Sequence, residues 1–250
     1  MKAVVTGASS GIGRELCLRL ADMGYDIYAV ARRKDRLEEL GSHIRTKFVA
    51  VVLDLSMEEN CHRLYDAVAN EKIDVFINNA GFGLYGKSLD TSLERELEMI
   101  DVNVRSVHIL TKLFARKFVN ERHGFILNVA SSAGFMMGPF LSAYYASKAY
   151  VLRLSEAIDE EIRRESKDVS ISVLCPGPVR TEFDSVAKVS SSLGGLSAEF
   201  VADYALKKMF RRKRIIIPGF AMKVMVAFSK IIPGKLLSKI TYNIQRKKGE

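Results

Sequence analysis

Tyr144 and Lys148 are the residues of this 250-residue chain whose types and spacing most readily do chemistry. They stand four positions apart, so on a helix they share one face, a turn from each other. A free tyrosine titrates near ~10 and is a poor acid at neutral pH, and an adjacent ammonium favours the phenolate and lowers that value. A tyrosine tuned in this way can pass a proton to or from a carbonyl or alcohol oxygen. Ser131 closes the apolar run 125–130, and a hydroxyl at a strand end can donate to the same oxygen. Taken alone, Tyr-x-x-x-Lys arises often by chance on surface helices, so its meaning rests on the elements around it.

Those elements alternate. Apolar runs at 3–6, 26–31, 48–53, 73–77, 125–129, 169–174 and 214–217 read as strands buried on both faces. Helical patterns at 11–23, 35–40, 57–69, 93–119, 143–164 and 198–210 fall between them, the third opened by Ser56 as N-cap with Glu59 at its capping-box position. This alternation implies an α/β chain with a parallel sheet and helices on both sides. Without a repeat or linker, residues 1–218 read as one domain, followed by a tail at 219–250. The Ser- and Gly-rich stretch at 183–197 reads as a surface loop or a lid over an active site.

The turn Thr6-Gly7-Ala8-Ser9-Ser10-Gly11-Ile12-Gly13 follows the first strand and opens the first helix. Glycines there let backbone approach a pyrophosphate, and the helix N-terminus supplies oriented N–H groups, so the turn points to a dinucleotide.

With that turn, Asn78-Asn79-Ala80-Gly81, Ser131, Tyr144, Lys148 and Pro176-Gly177 resemble, in order and spacing over roughly residues 1–220, the short-chain dehydrogenase/reductase superfamily. The resemblance implies a doubly wound Rossmann sheet of seven parallel strands. It makes Tyr144 the general acid/base, Lys148 its activator and ribose ligand, Ser131 the carbonyl anchor, and Asn103 the holder of a proton-relay water. Ser132 and Tyr145 are adjacent rivals, but only Tyr144 has a lysine at i+4. The implied dinucleotide contacts are Gly7, Ser9, Ser10, Gly11, Ile12 and Gly13, then Asp54 and Leu55, then Asn79, Ala80 and Gly81 with Asn78. Tyr144, Lys148, Pro176, Gly177, Val179 and Thr181 complete them, Thr181 at the nicotinamide carboxamide. The second strand ends in Arg32 and Arg33, where an NAD enzyme carries an acid for the ribose 2′-hydroxyl; two guanidinium groups suit a 2′-phosphate, hence NADP(H).

Phe82, Phe135, Met137, Phe140 and Phe183 follow the fourth, fifth and sixth strands, at the strand ends where open α/β sheets bind ligands. They suggest an apolar carbonyl substrate, although packing on one another would also explain them. The resemblance lies nearest the 3-oxoacyl reductase and hydroxysteroid dehydrogenase branch, so a carrier- or CoA-linked acyl group is among the candidates. Its long central helices imply a homodimer or homotetramer. A non-catalytic NADP(H)-binding sensor or scaffold is the alternative. A nucleotide-sugar epimerase is disfavoured, because its glycines are spaced GxxGxxG and these are GxxxGxG.

The formal charge of +9 is uneven. Residues 1–206 carry 25 Lys+Arg against 28 Asp+Glu, a balance of −3, and residues 207–250 carry 13 against Glu250 alone, a balance of +12. The basic character belongs to the tail, whose mixture of Lys with Ile, Leu and Met argues against nucleic acid. The tail reads as amphipathic helix that covers the substrate pocket, packs on a second subunit, or lies on a membrane surface. No apolar run reaches the ~20 residues that span a bilayer. The three cysteines, Cys17, Cys61 and Cys175, have no metal-ligand spacing, so the reading is of reduced thiols, no metal, and a cytoplasmic protein with possible attachment to a membrane.

Overall fold

The computed structural model describes residues 1–183, 187 and 195–247, so most of the loop expected at 183–197 lies outside the described residues. Strands β1 (Lys2–Thr6), β2 (Asp26–Ala31), β3 (Phe48–Val52), β4 (Val75–Asn78), β5 (Gly124–Val129) and β6 (Val169–Leu174) form the body of the sheet. The two-residue strands β7 (Val179–Arg180) and β8 (Leu196–Ser197) pair with each other, and β9 (Ile215–Ile216) completes the main sheet. All seven strands of that sheet run parallel in the order β3-β2-β1-β4-β5-β6-β9. The chain reverses direction across the sheet between β1 and β4, and this switch point opens a crevice at the C-terminal strand ends.

Successive side chains on a strand point to opposite faces, and both faces here are covered. Val5, Ile27, Ile77 and Leu127 meet α1 (Gly11–Asp22), α2 (Lys34–Ser42) and α7 (Ala198–Met209). Their neighbours Val4, Tyr28, Phe76 and Ile126 meet α3 (Glu58–Val68), α5 (Ser106–Glu121) and α6 (Ser142–Glu165). Asp159 on α6 is fully buried; its carboxylate accepts from Arg163 and Arg214 at 2.6 Å each and from the Ile171 amide, tying α6 to β6 and the sheet edge.

Two local expectations change. The helical pattern 93–119 is interrupted: α4 (Leu93–Ile100) ends in a π turn, Asp101–Arg105, before α5 begins. Such a bulge inserts one residue per turn and rotates it off the regular face. Here Val102 and Asn103 are buried, and Asn103, fully so, is turned inward on the loop after β4. Ser56 does not cap α3; its amide and hydroxyl both donate to Asp54 Oδ1, and α3 starts after Met57 without a side-chain cap. The tail forms two helices, α8 (Phe220–Ser229) and α9 (Gly234–Arg246), separated at Pro233, and both lie over the crevice. No helix among the described residues is long and apolar enough to cross a membrane.

Candidate active site

The turn after β1 takes its shape from Gly7 and Gly11, both at positive φ (65° and 54°), a region that side chains rarely adopt. The Thr6 hydroxyl accepts from the Asn79 and Ala80 amides at 2.9 and 3.0 Å, and the Asn79 side-chain amide donates to Thr6 O and Gly7 O, so the turns after β1 and β4 are held as a pair. At the start of α1 the N-cap Ser10 makes no side-chain cap, which leaves the first helical N–H groups facing the crevice. An uncapped helix N-terminus behind a glycine turn fits a pyrophosphate.

The crevice holds about 630 Å³. One end is lined by Gly7, Ser9, Ser10, Gly11, Ile12, Arg32, Arg33, Asp54, Leu55, Asn79, Ala80 and Gly81, the other by Ser131, Tyr144, Lys148, Pro176, Gly177, Val179 and Thr181. All the expected cofactor contacts therefore reach it except Gly13 and Asn78. A Cβ on Gly13 would stand 2.2 Å from Gly7 O, so this glycine serves close packing of α1 on the turn and not the ligand. Asn78 is turned into the core, where its amide donates to Thr111 Oγ1 and Asn128 Oδ1.

Arg33 donates to Ser9 Oγ at 3.1 Å and pairs with Glu182 at 2.9 Å; Arg32 pairs with Glu98 at 3.2 Å and Asp54 at 3.7 Å. The Arg33 guanidinium holds the Glu182 carboxyl below its usual range. Burial works to raise Asp54, but the two Ser56 donors and Arg32 outweigh it and keep that carboxyl low. Two guanidiniums thus stand at the end of β2 beside the glycine turn, each already facing an acid. Thr181 packs on Gly11, where an added Cβ would come within 2.9 Å of its methyl, and its hydroxyl accepts from the Phe183 amide.

Ser131 follows β5 by two residues in extended backbone, and its hydroxyl accepts from the Ala133 amide at 3.1 Å. The short turn it opens lies against α6, because Gly134 has no side chain: a Cβ there would meet Lys148 O at 2.7 Å. Tyr144 and Lys148 are one turn apart on α6, with the Lys148 ammonium 5.8 Å from the Tyr144 ring centroid. Lys148 Nζ donates to Val129 O at 2.9 Å, and burial lowers its pKa to about 8. Gly81 passes just above this ammonium. Ser132 and Tyr145 also line the crevice, so position alone does not separate the rivals. Tyr145, however, is engaged by Gln245 Nε2 at 2.5 Å, and burial raises its hydroxyl above the ordinary value.

Asn103 is buried away from the crevice lining. Its Oδ1 accepts from the Phe82 amide at 3.1 Å, and its Nδ2 donates to Phe82 O and Ser147 Oγ at 2.9 and 3.1 Å. Its side chain therefore positions the loop after β4.

The substrate-side residues divide. Phe82 and Phe183 line the crevice, and Phe183 stands 5.3 Å from the Tyr144 ring. Phe135, Met137 and Phe140 do not reach it. Phe135 lies under Lys230, Met137 is half exposed, and Phe140 stacks on Tyr85 at 5.7 Å and meets Tyr242 at 5.1 Å. Met136 and Leu141 take their places. The roof comes from Met222, Met225, Thr241, Ile244 and Gln245 of the tail. Tyr85 Oη donates to Gln245 O at 3.0 Å, fastening α9 to the loop after β4, while Met222 fills the space left by Gly177. Gln245 Oε1 is buried with no hydrogen-bond partner among the described residues. The apolar tail was the one signal for these contacts, and it did not say which residues would face inward.

The sequence pattern of the family described as short chain dehydrogenase matches residues 1–192. The chain is similar to a very-long-chain 3-oxoacyl-CoA reductase of Mycosarcoma maydis, 35% identical over 178 residues that cover 68% of this chain and 51% of that protein, so it spans about half the length of this relative. Among solved structures it is similar to a short-chain dehydrogenase from Sphingobium yanoikuyae in complex with NADPH, at 29% identity and a TM-score of 0.83 over 88% of each chain. It is similar as well to a short chain dehydrogenase/reductase from Burkholderia phymatum in complex with NAD, at 25% identity and a TM-score of 0.83 over 90% of this chain and 91% of that one.

Proposed function

The chain belongs to the short chain dehydrogenase family and is an oxidoreductase of the nicotinamide-dependent kind, and from this premise we propose that it interconverts an apolar ketone and its secondary alcohol with NADP(H). The observation that carries the reading is a single crevice lined at one end by the glycine turn with Arg32 and Arg33, and at the other by Ser131, Tyr144 and Lys148 under an apolar roof. A nicotinamide dinucleotide bound there supplies or accepts the hydride. Arg33 and Arg32 would hold the 2′-phosphate, with Glu182, Glu98 and Asp54 as the groups they would give up or share. The uncapped α1 N-terminus would hold the pyrophosphate.

On the substrate side, Ser131 Oγ donates to the carbonyl oxygen and fixes its position. The Tyr144 hydroxyl gives that oxygen its proton in reduction and takes it back in oxidation. Lys148, cationic below about pH 8, stands close enough to favour the phenolate. Asn103 acts through Phe82, keeping the loop after β4 against the crevice. Phe82, Phe183, Leu141, Met222 and Met225 exclude water and favour a long or bulky apolar group, in keeping with the acyl-CoA relative. Turnover with NADPH and NADH across ketones graded by chain length tests the reading. Rates that rise with chain length and favour NADPH are expected. Binding of NADPH without turnover of any ketone would leave a dinucleotide-binding sensor in its place.

A further inference from the structure

The two tail helices roof the crevice with one face and leave another apolar face uncovered. On α8, Phe220, Val224 and Phe228 recur every fourth residue and so form one stripe; Phe220 is 82% exposed and Phe228 60%. Ile231, 78% exposed, extends it past the helix end. On α9, Leu236, Ile240 and Ile244 repeat the same spacing, and all three are exposed. Large exposed side chains at this density, on two helices that both line the crevice, call for an occupant.

Charge selects the occupant. Residues 220–247 carry Lys223, Lys230, Lys235, Lys239, Arg246 and Lys247 and no Asp or Glu. A two-fold contact between copies would set this patch against itself and bring like charges together without a counter-charge. An anionic bilayer meets both needs: it buries the stripes and neutralises the lysines around them. Placement adds a second consideration. Met225 and Ile244 line the crevice and are also exposed, so the apolar face borders the crevice mouth.

We propose that α8 and α9 dock on an anionic lipid surface and set the mouth of the crevice against it, so that an apolar substrate enters from the lipid. The docking stands apart from the reaction assigned above; only the entry of substrate rests on that reading. The test is sedimentation of the full chain with phosphatidylcholine vesicles, with and without phosphatidylglycerol, at low and high salt. Binding to the phosphatidylglycerol vesicles at low salt, weakened by salt, is expected. Phe228 and Ile231 do not line the crevice, so the double variant Phe228→Glu/Ile231→Glu keeps turnover of a short, water-soluble ketone while its vesicle binding falls about tenfold or more. Equal binding by that variant, or no binding by the wild type at low salt, overturns the proposal. So does a dimer, measured by light scattering, that the variant dissociates while neither form binds vesicles. Charge-dependent vesicle binding with no ketone turned over would uphold the docking and count against the reaction.

Discussion

Lys148→Met separates what the buried ammonium costs the fold from what it does in the site. Burial lowers the Lys148 pKa from an ordinary 10.5 to about 8, which at about 1.36 kcal/mol per pH unit is about 3 kcal/mol against the charged form in the folded chain. Below pH ~8 the lysine is protonated in both folded and unfolded chains. Between ~8 and ~10.5 the folded chain has lost the proton and the unfolded chain keeps it, so unfolding takes up a proton and the stability contribution rises with pH. The variant has no such group. Urea unfolding of both proteins across this range should show the wild type gaining on Lys148→Met by up to about 3 kcal/mol, after which the gap levels off. Loss of the hydrogen bond to Val129 O shifts the variant by a constant amount and leaves the slope alone. Turnover of the variant should fall at least ~100-fold. Parallel stability curves would show that the ammonium is not held dry. A wild type that loses ground to the variant as pH rises would mean that an anion in the folded chain stabilises the ammonium, and either result refutes the reasoning.

Arg33→Asp places a carboxylate beside Ser9 and Glu182, and should weaken NADPH at least ~10-fold while improving NADH relative to it, as read by the kcat/KM of each cofactor. Arg32→Asp should act in the same direction, less strongly, because Arg32 is farther from Ser9 and already shared by Glu98 and Asp54. Gln245→Leu removes the donor to Tyr145 and the buried, unpartnered Oε1 from the roof; KM should rise several-fold for ketones with a second polar group and change little for plain alkyl ketones.

The parts of this molecule that sequence made legible are those set by local pattern. Strands apolar on both faces, a glycine turn between strand and helix, and Tyr144 with Lys148 at i+4 each depend on residues within one or two turns. Side-chain direction within loops is not local in this sense. The run Phe135-Met136-Met137-Gly138-Pro139-Phe140 signals burial, but Met136 is in extended backbone (φ −147°, ψ 170°), so it and Met137 point to opposite sides and only the first reaches the crevice. Phe140, at φ 66°, turns to Tyr85 and Tyr242 and holds the tail. The partners of the arginines lie far along the chain: Glu98 is 66 residues from Arg32, and Glu182 is 149 from Arg33. No pattern at β2 shows that both guanidiniums face acids. Asn103 was visible as a candidate, but its use on Phe82 depends on the π turn, which leaves no mark on the periodicity of 93–119.

The central claim is that Tyr144 moves the proton at the substrate oxygen. Its most direct test compares Tyr144→Phe with Tyr145→Phe, measuring turnover of the best ketone and NADPH affinity for each. Both changes keep the ring and remove one hydroxyl. Tyr144→Phe should lose turnover by ~100-fold or more with NADPH affinity little changed, and Tyr145→Phe should lose only the hydrogen bond from Gln245 and keep most of its rate. Equal loss in the two variants, or full activity in Tyr144→Phe, would contradict the account.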